Sequence, residues 1–150
     1  MSQRGAESLI SPEAFLDLVR VEMPGAAEMD IEIESLAFGE ARLRFRYDPR
    51  WVRAGGTIWG PAFMLASDLA LYAMTLSTIG LVPLAVTTDL TFHFLRRPVA
   101  QDVIAHARVV KRGARLVIGA GDVTTGADPE PVAHFVGTYS IPPAAEPPAR

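Results

Sequence analysis

One run of this sequence leaves few choices for the fold. From residue 61 to about residue 79, the segment PAFMLASDLALYAMTLSTI is apolar on nearly every side of the helix it can form. A helix with no polar face has to be wrapped by other structure. Pro61 suits the first helical position, and Gly80 ends the run. The length approaches the roughly 20 residues of a membrane span. Asp68 argues against one, as do Ser67, Tyr72, Thr75, Ser77 and Thr78, because a carboxylate at the centre of a bilayer is costly. The segment therefore reads as a core helix, and the rest of the chain has to supply the wrapping.

The flanking sequence is suited to that. SPEAFLDLVRVEM reads as a short amphipathic helix with Ser11 as N-cap, Pro12 in the first turn, and Phe15, Leu18 and Val19 on one face; Pro24-Gly25 ends it. IEIESLAFG and ARLRFRY alternate as half-buried strands around a turn at Gly39-Glu40. In the second, Leu43, Phe45 and Tyr47 share one face and Arg42, Arg44 and Arg46 the other. RWVRAGGTIWG is a loop. After the core helix, LAVTTDLTFHFLRRP places Val86, Thr88, Leu90, Phe92 and Phe94 on one face and Thr87, Asp89, Thr91 and His93 on the other. VIAHARVVKRG and ARLVIGAGDVTTG meet at Gly113, DPEP turns, and VAHFVGTYSI is the last strand. The order is a helix, two strands, a long buried helix and four strands. It predicts an α+β domain over residues 1–143, one antiparallel sheet around one helix, with a proline-rich disordered tail over residues 144–150.

Composition narrows the chemistry. The net charge of −3 gives no reason to expect nucleic acid or an anionic membrane as a partner. Cysteine is absent, which removes disulfides and thiolate chemistry. His93, His106 and His134 are scattered through strand-like stretches without metal-ligand spacing, so no metal is expected. The N-terminal MSQRGAESLI has no hydrophobic signal core, and a cytoplasmic protein is expected.

The chemistry is sought where the core helix begins. Gly60 precedes Pro61, has no side chain to block approach, and sits at the positive end of the helix, a combination suited to holding an oxyanion. Asp68 lies seven residues beyond Pro61, about 10 Å along the axis, too far to act on an atom held by Gly60 of the same helix. A second copy of the helix running antiparallel would bring the two together, which predicts a site shared between subunits. Two readings of Asp68 stay open: a catalytic acid, or a structural one satisfied by an arginine or by backbone N–H groups. Ser67 reads as a helix residue bonded to its own backbone, since no G-x-S-x-G turn surrounds it.

At these residues the chain resembles the hotdog-fold acyl-CoA thioesterases of the phenylacetate-pathway type. The resemblance runs over residues 30 to 143 and rests on GGTIWGPAFMLASDLALYA, VTTDLTFHFLRRP, VVKRGARLVIGAGDVT and PVAHFVGTYSIPP. In that family a His-Gly-Gly loop opens the central helix, and an Asp follows eight residues after the first of those glycines; Gly60 to Asp68 is the same interval. The resemblance implies a dimer or tetramer and hydrolysis of an acyl-CoA, with CoA as part of the substrate and no other cofactor. Gly60 would polarise the thioester carbonyl, and Asp68 would act as nucleophile or as general base for water. Trp59 stands where the family has histidine, and Pro61 replaces the second glycine.

Gly56, Trp59, Pro61 and Met64 are the expected substrate contacts around the loop and first turns. The CoA phosphates need cations, and Arg97, Arg112 and Arg115 are the candidates, since arginine can bind phosphate through paired hydrogen bonds. Two rival functions remain: an acyl-CoA binding module without catalysis, favoured by Trp59 and Pro61, and a hydratase on the same fold, disfavoured because no histidine lies beside Asp68 in sequence.

Overall fold

The computed structural model describes residues 6–143, so the expected tail over residues 144–150 lies outside the described residues. Helix α1 (Pro12–Glu22) starts where its cap demands: the Ser11 hydroxyl accepts the Ala14 N–H at 3.1 Å. Phe15, Leu18 and Val19 are buried. Pro24 does more than end this helix. It opens one further turn, α2 (Pro24–Ala27), because a proline is at home in a first turn.

Strands β1 (Ile31–Ala37) and β2 (Glu40–Phe45) form an antiparallel hairpin. Its turn falls at Phe38-Gly39, one residue earlier than the sequence suggests, and Glu40 already belongs to β2. Gly39 has φ +74, a left-handed conformation that glycine adopts without strain. Its N–H donates to Ser77 Oγ at 2.8 Å, tying the hairpin to the far end of the core helix. A bulge at Glu34 breaks the alternation of β1, so Ile31 and Ile33 point inward and then Leu36 does. Glu34 itself accepts from Arg42 and Arg44 on the outer face, both at 2.6 Å.

The expected loop after β2 is more ordered than its composition implies. A 3-10 turn at Pro49–Trp51 leads into a two-stranded ribbon, β3 (Val52–Arg53) and β4 (Thr57–Ile58). The core helix α3 (Gly60–Ile79) follows, then β5 (Val86–Phe94), β6 (Val103–Arg112), β7 (Leu116–Thr125) and β8 (Ala133–Ser140). The main sheet is antiparallel throughout, in the order β1-β2-β6-β7-β8-β5, and curls around α3. This is the hotdog fold. By length and hydropathy α3 could cross a membrane, but 78% of its most apolar window is buried inside the protein; it is a core helix.

The helix seats closely because two strands give way to it. Gly119 and Gly137 face each other across β7 and β8. A methyl group at Gly119 would lie 2.3 Å from Met74 Cε, and one at Gly137 would lie 2.5 Å from Leu71 Cδ1. Only glycine leaves room for these side chains, and Leu71 and Met74 are fully buried as a result.

The wrapping is incomplete in one place. Pro61, Met64 and Leu65 are exposed and Asp68 is half-buried, a stripe at helical spacing along the first half of α3. Beside it runs β5, a sheet edge; Phe94 at its end and Leu84 and Leu95 just outside it are more than half exposed, at 55%, 78% and 57%.

Candidate active site

Asp68 projects from the middle of α3 toward β5 and β8. Its Oδ1 accepts two hydroxyl hydrogen bonds, from Thr87 at 2.7 Å and from Tyr139 at 2.8 Å. The Tyr139 oxygen also lies 3.1 Å from the main-chain carbonyl of Asp68. Oδ2 has no partner among the described residues, and Asp68 forms no salt bridge among them. The carboxylate is oriented by neutral donors, and no arginine among the described residues neutralises it.

Thr87 reaches Asp68 because of a bulge. Strict alternation sets Thr87 on the face opposite Leu90 and Phe92. In the structure Thr88 is the extra residue between Thr87 and Asp89, so the pattern slips and Thr87 joins Leu90 and Phe92 on the inner face, opposite Tyr139. The face expected for Val86 and Thr88 fails for the same reason, and Val86 is 58% exposed. Tyr139 is buried, and its ring stacks on Tyr72 with centroids 5.6 Å apart. Burial, followed by the neighbouring Asp68 charge, pushes the Tyr139 hydroxyl far above the usual tyrosine range. It therefore stays protonated and remains a donor. Neither Thr87 nor Tyr139 is marked by sequence reasoning as a site residue; a bulge and a cross-strand pairing bring them together.

At the other end of the stripe, Trp59 is the N-cap of α3 and Gly60 its first residue. The Trp59 N–H donates to the Trp51 carbonyl at 2.8 Å, which anchors the start of the helix to the 3-10 turn. The indole is 48% exposed. The Gly60 N–H belongs to the first turn, where no intrahelical acceptor exists. Phe94 lies over it: a Cβ at Gly60 would be 3.1 Å from Phe94 Cζ. Gly55 and Gly56 make the tight turn of the ribbon, both with positive φ, and the Gly56 N–H donates to the Arg53 carbonyl at 3.1 Å. Within one chain Gly60 and Asp68 are eight residues apart on one helix, about 12 Å along its axis.

The three arginines do not gather. The Arg97 guanidinium donates to the Gly55 carbonyl, beside the loop that opens α3. Arg112 Nε donates to the Thr78 carbonyl at 3.1 Å, at the C-terminal end of α3, where a cation offsets the helix dipole. Arg115 is exposed in the β6–β7 connection. Ser67 is fully buried and donates to the Phe63 carbonyl at 2.8 Å, as a helix residue bonded to its own backbone. His106 pairs with Glu40 at 2.6 Å and His134 with Asp122 at 2.8 Å. His93 faces His134 on the neighbouring strand. None of the three borders the cleft at Asp68.

Residues 55–132, just over half of the chain, match the thioesterase superfamily. A crystal structure of a candidate thioesterase from Silicibacter sp. TM1040 is 34% identical, with a TM-score of 0.81 over 93% of this chain and 97% of that one. The phenylacetic acid degradation protein PaaI from Thermus thermophilus shares the fold, with a TM-score of 0.70 at 23% identity over 79% of this chain and 98% of that one. A candidate esterase of Saccharolobus solfataricus is 32% identical over 88 residues, 59% of this chain; the match spans 58% of that relative, less than two thirds of its length. On the match from the turn of the ribbon through α3 to the residue before β8, the chain belongs to the thioesterase superfamily.

Proposed function

We propose that the protein hydrolyses an acyl-CoA thioester to the free acid and CoA, at a site built from two copies of the chain. The observation that carries this reading is Asp68, a carboxylate in an otherwise apolar helix that opens onto a cleft and is held by two hydroxyls instead of a cation. A purely structural acid in such a helix would be expected to have a charged or main-chain N–H partner. Membership of the thioesterase superfamily supports thioester hydrolysis in general terms; the acyl-CoA substrate and the residue roles are proposed here.

A second copy supplies what one chain lacks. The exposed stripe Pro61-Met64-Leu65-Asp68 and the adjoining open edge of β5 form a continuous apolar surface suited to a homodimer. With two α3 helices antiparallel across it, Asp68 of one copy faces Gly60 of the partner subunit. The Gly60 N–H then holds the thioester carbonyl oxygen as negative charge develops on it. Asp68 either takes a proton from the water that attacks the carbonyl carbon, or attacks that carbon itself to give an acyl–Asp anhydride, which water then cleaves to free the acid and restore the carboxylate. The carbon–sulfur bond breaks, CoA leaves as thiolate and is protonated, and water supplies the new acid oxygen. Trp59, Pro61, Met64 and the Gly55-Gly56 turn border the entry, and Arg97 beside that turn is the best-placed cation for a CoA phosphate. Arg112 is engaged with the end of α3.

Thiol release from aromatic, short and long acyl-CoAs, measured with wild type and Asp68→Asn, tests the reading. The wild type should turn over part of the panel, and the variant should lose at least about 10²-fold. Equal activity in Asp68→Asn would remove Asp68 from the chemistry. Tight acyl-CoA binding without thiol release would select a binding module, and turnover of an enoyl-CoA without thiol release would select a hydratase.

A further inference from the structure

Asp68 opens onto a cleft of about 290 Å³ between the end of α1 and the start of β5. This is at the low end of the size range for pockets that hold small molecules. The stacked rings of Tyr72 and Tyr139, 15° from parallel, form one wall, and Met23 and Ala85 add apolar surface. The hydroxyls in the cleft are committed inward. Tyr72 donates to the Pro83 carbonyl at 3.0 Å, and Thr87 and Tyr139 donate to Asp68. None of the lining residues is cationic.

The second carboxylate at the cleft is Glu22, exposed in the last turn of α1. A negative charge there opposes the helix dipole, and Glu22 forms no salt bridge among the described residues. The stability of α1 therefore gives no reason for an acid at this position. Its charge does reach the cleft: burial first, and Glu22 second, push the Tyr72 hydroxyl upward.

We propose that this cleft receives the acyl group of the substrate and takes a compact, uncharged one, with Glu22 as a specificity determinant that turns away acyl groups ending in a second carboxylate. The inference rests on the thioester hydrolysis proposed above. An anionic acyl end would meet two negative charges, Asp68 and Glu22, with no cationic side chain and no uncommitted hydroxyl among the lining residues to receive it. A chain of more than about ten carbons would overrun so small a space and leave apolar surface in water.

Two matched substrate pairs test this: hexanoyl-CoA against adipoyl-CoA, and phenylacetyl-CoA against 4-carboxyphenylacetyl-CoA, with palmitoyl-CoA as the long chain. In wild type, kcat/KM should favour the uncharged member of at least one pair by about tenfold or more, and palmitoyl-CoA should be the poorer substrate beside it. In Glu22→Gln the ratio of charged to uncharged substrate should rise about threefold or more, and in Glu22→Lys further. Equal rates within both pairs, a ratio unmoved by both variants, or palmitoyl-CoA as the best substrate would overturn this inference while leaving hydrolysis standing. Thiol release from none of the five would overturn the hydrolysis reading together with it.

Discussion

The Tyr139 hydroxyl spans the 2.8 Å from β8 to Asp68 Oδ1 and also sits 3.1 Å from the carbonyl of the same residue. A buried phenol kept protonated in this way fixes the rotation of the carboxylate and leaves Oδ2 for the proposed chemistry. Tyr139→Phe keeps the ring and its stacking on Tyr72 but loses the donor. Its kcat should fall about tenfold, with KM changed by less than about threefold, because orientation is lost and substrate binding is not. Steady-state kinetics on the best acyl-CoA measure this, and an unchanged kcat would mean that Tyr139 only packs.

Thr87 holds the same oxygen from the bulged start of β5. Thr87→Val is close in shape and lacks the hydroxyl, so kcat should drop about tenfold. Thr87→Ser restores the donor and should recover most of the activity. Equal activity of the Val and Ser variants would show that the hydroxyl plays no part.

The pair Gly119 and Gly137 fixes the depth at which α3 seats. Gly137→Val drives a side chain into Leu71, whose Cδ1 would lie 2.5 Å from the new Cβ. Overpacking of this kind costs about 1–3 kcal/mol, which for a chain of this size lowers Tm by roughly 3–10 °C. Thermal unfolding followed by circular dichroism measures the shift; an unchanged Tm would mean that the helix can move away.

The outer face of the sheet carries a charge network with a defined response to acid. Burial pushes Glu34 upward, but its bonds to Arg42 and Arg44 outweigh this and hold its carboxyl below the usual range. Asp102 behaves alike: burial raises it, and the Tyr47 N–H, Arg44 and Arg46 bring it below the usual range. Depressed carboxylates stabilise the fold above their unfolded pKa, and that stability is lost as pH falls through their folded values. Tm should therefore hold from pH 7 to about 5 and decline below about pH 4. Glu34→Gln should lower Tm at pH 7 by about 1–3 °C and narrow its gap from wild type at pH 3. A gap that widens at pH 3 would contradict this sign.

The apolar periodicity of residues 61–79 is enough to identify a wrapped helix, and Ser11-Pro12 marks the start of α1, because both signals are local. The alternation of Leu43 and Phe45 against Arg42 and Arg44 likewise reads correctly as inner and outer faces of β2. Bulges are not legible. Glu34 and Thr88 each add one residue to a strand, which inverts the alternation beyond it, and the second of these is what brings Thr87 to Asp68. Tyr139 is distant in sequence from Asp68 and meets it only through the closure of the sheet. The bond from Arg112 Nε to the Thr78 carbonyl on the last turn of α3 is equally invisible in sequence. The ribbon at residues 52–58 is hidden by two glycines whose positive φ values suit a tight turn as well as a loose one.

A mixed-subunit assay tests the shared site most directly. Gly60→Pro removes the N–H at a position whose extended predecessor, Trp59 at ψ 147, accepts a following proline. Asp68→Asn removes the acid. Each variant alone should be inactive. In a mixed dimer, the intact Asp68 of one subunit meets the intact Gly60 of the other. Co-expressed at equal levels, the two should recover about a quarter of wild-type thiol release, the yield of one good site in half of the dimers. Confirmed heterodimers with no activity above either parent would show that Asp68 and Gly60 do not meet across the interface.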